Sequence, residues 1–283
     1  MGNRCSTCGN ENVTIFGRCS KHLTDKDRLE SIGKVDEDIM TYFEKILEEV
    51  APPSISTRLL EGQTYNQYIN LKSRISKPRV ILILPLHQIE TNRLDDIVTE
   101  YLTMFFHSPV VLLKDYDLAS LNIDAKLDTE LIKSGLAING YPMYEVNKIK
   151  DKIVKKNKPE SILIAITEEH DISLNNEPTY GHLYHEEKIA IFSSLRLGLN
   201  NIEKLCKLIT RAICHMIGMD HCVFFSCLLN DNDSYPMELC PCCLNKLYFT
   251  FDLHLEKRKF LLDNFFGKYK IKERRLTGPM LSL

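Results

Sequence analysis

The residues with the clearest chemistry lie in the stretch CHMIGMDHCVFFSCLLNDNDSYPMELCPCC, residues 214–243 of a 283-residue chain. Cys222 and Cys227 have four residues between them, and Cys240 and Cys243 form a C-x-x-C. Four thiolates in two short pairs suit a tetrahedral structural zinc. Just before them, His215, Gly218 and His221 are spaced H-x-x-G-x-x-H. A helix that ends sharply at such a glycine brings the second imidazole back toward the first, which is also metal chemistry. One helical turn before His215 stands Arg211, followed by Ala212. Neither can bind a metal: a guanidinium has no lone pair to donate, and an alanine side chain has no donor atom.

A zinc-binding helix of the form H-E-x-x-H sets two histidines on one face, with the glutamate as general base. The longer metzincin form adds x-x-G-x-x-H. On this chain His215 takes the second histidine position and His221 the third, while Arg211 and Ala212 occupy the first histidine and glutamate positions. With Cys222, Cys227, Cys240 and Cys243 included, the segment from Cys214 to Leu247 resembles the archaemetzincins, whose signature is H-E-x-x-H-x-x-G-x-x-H-C-x4-C-x-M followed by C-x-x-C. A weaker resemblance extends from Lys77 to Phe266, where KPESILIAITEEHDI and KIAIFSSLRL are similar to the family's strand and hairpin before the motif helix. It implies a metzincin-like α/β fold (a mixed sheet with helices) and a small zinc-stabilised C-terminal subdomain. The chain departs from the pattern at Arg211 and Ala212, at Leu229 in place of the methionine, and in a shorter gap from Cys227 to Cys240.

In the family's chemistry zinc activates water and the glutamate takes its proton. Ala212 removes that base, which is typically worth about 10²–10⁴-fold in rate. An inward-pointing guanidinium about 5 Å from Zn²⁺ would repel it by roughly 6 kcal/mol at an effective dielectric near 20; swung out to solvent it would not. His215 and His221 are thus expected to form a residual site of the catalytic type, without a catalytic residue and with zinc absent or weakly held. A substitute shell is conceivable from His182 and His185 in GHLYHEE, with Glu186 or Glu187 as base; the plainer reading is a solvated hairpin. Three function classes follow: an inactive metallopeptidase relative whose cleft still takes a peptide or protein strand, an active zinc peptidase with a substitute ligand, and a zinc-dependent interaction module.

Composition narrows the class. A formal net charge of −2 gives no overall attraction to nucleic acid. Ten cysteines in a long chain without an apolar leader favour metal over disulfides, and a cytoplasmic location is expected. No apolar run is long enough to cross a membrane.

The N-terminus offers two competing readings. Cys5, Cys8, Cys19 and His22 are spaced C-x2-C-x10-C-x2-H, the pattern of a small zinc finger that could fold only around its metal. MGNRCS also fits an acylation pattern, with Gly2 as a myristoyl site and Cys5 as a second anchor, which would associate the chain with membranes. A tail with reduced cysteines is the third possibility. At the other end Lys268–Arg275 is basic; with Tyr269 as its one aromatic residue it lacks a stacking platform and reads as a solvated tail rather than a nucleic-acid patch.

Periodicity supplies the elements that must position these groups. Asp25–Val50 reads as a helix stopped by Pro52 and Pro53, and 57–78 as a partly helical connection. Val80–Leu84, Val110–Leu113 and Ser161–Thr167 read as buried strands, with Gly181–Tyr184 and Ile189–Ser194 as hairpin arms. Helices are expected over Asp95–Phe106, Glu145–Lys155, Asn201–Met216 and Leu255–Phe266. The expected organisation is a finger or lipidated N-terminus over 1–23, a helical extension and linker over 24–76, a metzincin-like α/β subdomain over 77–221, a four-cysteine zinc subdomain over 222–267 and a basic tail over 268–283.

Overall fold

A computed structural model describes residues 6, 23–33, 62–72, 78–86, 93–113, 143–168, 170–197, 201–230, 236–251 and 253–271. In chain order the elements are α1 (Asp25–Ile32), α2 (Tyr65–Lys72), β1 (Val80–Pro85), α3 (Arg93–Phe106), β2 (Val110–Leu112), β3 (Met143–Glu145), α4 (Val146–Ile153), β4 (Ser161–Thr167), β5 (Asp171–Leu174), β6 (Glu177–Thr179), β7 (Gly181–Tyr184), β8 (Ile189–Ser193), α5 (Ile202–Met216), α6 (Pro241–Phe251) and α7 (Leu255–Tyr269). They form two compact units: residues 77–216, and a discontinuous unit made of 1–76 with 217–283.

The 77–216 unit is built on a mixed five-stranded sheet in the order β2-β1-β4-β8-β7. Strands β1, β2, β4 and β8 are parallel, and β7 closes one edge antiparallel to β8. The sequence SILIAIT of β4 is apolar on both sides because the strand lies between two neighbours and is buried at every position. Leu82, Leu84, Leu163, Ala165, Ile189 and Ile191 share one face of this sheet and pack with Ile149 and Ile153 of α4. The alternate residues turn to the other face, and α3 and α5 touch that sheet and each other. Burying one such aliphatic side chain contributes about 1.5–3 kcal/mol, so this sheet core is the main source of stability in the unit.

A second sheet, β3-β5-β6, is small and was not anticipated. Its strands of three or four residues are too short to show a period. Asn175 and Asn176 turn the β5–β6 hairpin with φ of 54° and 67°, and their backbone N–H groups donate to the Glu145 carboxylate. Buried Asp171 accepts two hydrogen bonds from Arg196, at 2.6 Å from Nε and 2.5 Å from Nη2, which ties β5 to the turn ahead of α5.

The other unit differs from expectation in two places. The helix expected to run from Asp25 to Val50 ends at Ile32, because Gly33 takes φ 94°, a conformation that ends a helix and suits only glycine. A capping box between Thr24 and Asp27 starts it. Residues 34–50 lie outside the described residues. The second difference is α6, a helix over PCCLNKLYFTF that periodicity does not mark, since its residues are apolar almost all round. Helices α1 and α2 both pack against α6. The N-terminal helices thus belong to the same compact unit as the cysteines.

Candidate metal centre

The cysteine site starts at the loop 222–230. Asn230 organises it: its Nδ2 donates to the Cys222 carbonyl at 2.6 Å, and its Oδ1 accepts from the Cys227 N–H at 2.6 Å. The Cys222 N–H donates to the Leu229 carbonyl, so the loop closes on itself. Leu229, at the position where the family signature has methionine, is fully buried and donates its N–H to Cys227 Sγ at 3.5 Å. The Cys240 N–H reaches the same sulfur at 3.4 Å.

Cys240 and Cys243 are fixed differently, at the start of α6. Pro241 takes the first helical position, where its missing N–H costs nothing. The helix N-terminus carries a partial positive charge that favours thiolates beside it. The C-x-x-C spacing sets both sulfurs on one turn.

The four Sγ atoms of Cys222, Cys227, Cys240 and Cys243 all lie within 4.8 Å of one another and all four residues are buried. The Cys222 and Cys240 sulfurs are 3.6 Å apart. A disulfide needs about 2.05 Å. The edge of a tetrahedron with Zn–S bonds of about 2.3 Å is about 3.8 Å. The spacing therefore fits a tetrahedral metal and not a cross-link. Among the described residues this is the single group of three or more His, Cys, Asp or Glu side chains close enough to share an ion. Burial acts against ionising these thiols, but hydrogen bonds from the other three hold Cys222 well below the usual thiol range. Cys240 is pushed well up, first by burial and then by its neighbours. The donor set is soft, buried and close enough to share one ion, and it suits zinc.

The residues of the expected catalytic-type site lie along α5 and just past it. Arg211 is only 9% exposed and so does not swing out to solvent. Ala212 is buried beside it. His215 sits half-buried in the last turn of α5. Gly218 takes φ 85°, the left-handed conformation that the motif's glycine is there to supply. His221 is half-buried. Of the substitute ligands, His182 lies on β7 with its ring edge-on to Tyr184 at 4.6 Å, and burial lowers its pKa. His185 and Glu186 are exposed in the β7–β8 turn, and Glu187 pairs with Lys150 at 3.5 Å. Cys206 and Cys214 are buried thiols of α5. Gly2, Cys5, Cys8, Cys19 and His22 lie outside the described residues, as does the basic tail beyond 271. No helix among the described residues is long and apolar enough to cross a membrane.

Two contributors escaped the sequence reading. Residues 62–68 are stitched to the chain around the quartet: Gln63 Nε2 donates to the Gly218 carbonyl at 3.0 Å, and Tyr68 Oη to the Ile217 carbonyl at 3.2 Å. Arg28 of α1 donates from Nε to the Phe224 carbonyl at 3.0 Å, inside the cysteine loop. The second contributor is Lys246, 1% exposed, whose Nζ donates to the Gln63 carbonyl. Burial lowers its pKa, but Cys242, Cys243, Cys222 and Cys240 outweigh this and the net shift is upward. The legible signal was a lysine four residues after Cys242 and three after Cys243, on the same face of a helix.

No family model matches the chain. Its curated relatives are archaemetzincins. It is 34% identical to archaemetzincin-2 of Rattus norvegicus over 59 residues, 19% of this chain and 16% of that protein. It is 42% identical to archaemetzincin-2 of Macaca fascicularis over 48 residues, 15% and 13% of the two chains. The matches thus span less than a fifth of the relatives' length. Its structural neighbours are also archaemetzincins. That of Archaeoglobus fulgidus is 18% identical with a TM-score of 0.42, covering 59% of this chain and 99% of that one. That of Methanopyrus kandleri is 16% identical with a TM-score of 0.39, covering 66% and 96%.

Proposed function

We propose that this chain is a catalytically inactive archaemetzincin-type protein: a zinc-stabilised scaffold that retains a peptide-binding surface. The carrying observation is the quartet Cys222, Cys227, Cys240 and Cys243, four buried sulfurs within 4.8 Å of one another. A zinc there cross-links the loop 222–230 to the start of α6 and supplies stability rather than chemistry. The expected general base is missing at Ala212, and a permanently cationic, buried Arg211 stands at the first ligand position. His215 and His221 are then residual, with His182 and His185 contributing no third ligand.

The binding surface we assign is the edge strand β7. Among the described residues it pairs with β8 alone, and its four residues are half-buried. An unpaired edge can take an extended peptide as a further strand, so the partner is a peptide or protein, not nucleic acid. A cytoplasmic location suits a site of four reduced thiols, and membrane association is proposed only if Gly2 is acylated.

The test combines zinc analysis with a peptide-hydrolysis assay on the purified full chain. Elemental analysis of a C8S/C19S variant should give one zinc per chain, lost in C222S. Hydrolysis should stay at background with or without added zinc. In the same background Arg211→His with Ala212→Glu should bind one zinc more. Zinc-dependent hydrolysis by the unaltered protein would overturn the inactive reading and favour a substitute ligand.

A further inference from the structure

We propose that Lys246 is the fixed counter-charge of the cysteine quartet, a positioning residue that lets a fully buried thiolate–metal centre exist in this fold. The inference rests on reading the quartet as a zinc site.

Zinc with four thiolates carries a net charge of about −2. All four cysteines are 2% exposed or less, so water cannot solvate that charge. A buried anion of this kind is strongly unfavourable without a partner. Among the described residues the same unit buries three cations: Lys246 at 1%, Arg28 at 3% and Arg258 at 6% exposure. Arg28 has acidic neighbours of its own in Asp25 and Asp27. Lys246 is different: among the described residues no carboxylate pairs with it, its Nζ donates to the Gln63 carbonyl, and the acidic side chains on its own face of α6 are the thiols of Cys242 and Cys243, one helical turn back. A buried ammonium whose acidic neighbours are thiols is paired only if those thiols carry charge.

The geometry explains how it is held. Lys246 and Cys242 are four apart on α6, and both reach the Gln63 carbonyl, with Cys242 Sγ at 3.8 Å. Cys242 Sγ also donates to the Ser31 carbonyl at 3.0 Å. The Gln63 carbonyl follows Gly62, which has φ 71° and where an added Cβ would stand 2.3 Å from Val223 Cγ2. The ammonium is thus fixed by backbone and not by a carboxylate, which leaves its charge for the metal centre. Cys242, the fifth thiol of the segment, belongs to this anchor and not to the ligand set.

The test measures zinc affinity of the full chain in the C8S/C19S background, by competition with a chromogenic chelator, for wild-type Lys246, K246M, K246Q and K246R. Cobalt(II) substitution gives a second readout, since sulfur-to-cobalt charge-transfer bands report the ligand set independently of affinity. Losing a supporting group around a metal typically costs about 10–100-fold in affinity. K246M should fall by that amount with its cobalt bands unmoved. K246Q, which keeps a donor for Gln63 but no charge, should fall equally, and K246R should stay within about threefold of wild type. If K246M does not fold, K246Q against K246R decides alone. Tight zinc of equal affinity in all four proteins overturns the counter-charge while leaving the zinc site standing, as does K246R falling as far as K246Q. Absence of zinc from the quartet in the unaltered protein overturns the zinc reading and this inference with it.

Discussion

On the proposed reading the two compact units are stabilised by different physics: an apolar sheet core in one, a metal and directed bonds in the other. The 77–216 unit folds around the apolar faces of a parallel sheet, where Leu82, Leu163 and Ile191 need only be hydrophobic and of the right size. Its helix α5 is held by that packing whatever stands at positions 211 and 212. The cysteine unit buries Arg28, Ser31, Gln63, Lys246 and Thr250 together with its thiols, and is held by directed bonds. If the quartet holds a structural zinc, a change at 211 or 212 should cost little structure, while loss of one cysteine ligand should cost the fold of its unit.

The largest expected effect follows directly. C222S, or strong chelation of the unaltered protein, should unfold the cysteine unit: structural zinc is worth roughly 10–16 kcal/mol in small domains, comparable with the ~5–15 kcal/mol total stability of a domain. Limited proteolysis should then cut within 62–72 while 77–216 stays resistant; equal resistance throughout would break the contrast. Next comes L163A in β4. This fully buried side chain should cost about 2–5 kcal/mol, read as a lowered unfolding midpoint, without loss of zinc. A zinc loss there would mean that the two units are not separately stabilised.

G62A is expected to cost about 1–3 kcal/mol, from positive-φ strain with a clash against Val223, and to loosen residues 62–72 first in hydrogen exchange. The smallest effect concerns pH. Burial lowers the His182 pKa, Glu145 partly offsets this and His185 adds to it, so the folded state binds its proton less readily than the unfolded chain. The unfolded state therefore holds more protons below about pH 6.5, and stability is full above that value and falls as pH drops toward the lowered pKa. H182Q should flatten that part of the stability–pH curve of the 77–216 unit and leave zinc binding unchanged.

Legibility followed the same divide. The sheet strands were readable because burial on both faces writes continuous apolar runs such as ILILP and SILIAIT. The motif helix was readable from its stripe, and the quartet from spacing alone. What escaped was directed bonding between distant segments. Arg28 and Phe224 are 196 residues apart, and Lys246 and Gln63 are 183 apart. No local pattern announces such pairs. Nor could periodicity reveal α6, where metal ligation and helix packing require apolar or thiol residues on nearly every face; Pro241 directly after Cys240 was the available sign of a helix start. Gly33 was likewise visible as a residue, but not as a stop inside an otherwise periodic stretch.

On the proposed reading the metal is held by four cysteines and not by the histidines of a catalytic motif. X-ray absorption at the zinc edge, on the full chain carrying C8S/C19S, tests it most directly. The prediction is a first shell of four sulfurs at about 2.3 Å with no lighter ligand. A shell containing nitrogen or oxygen at about 2.0–2.1 Å would contradict it and place the metal on His215 and His221.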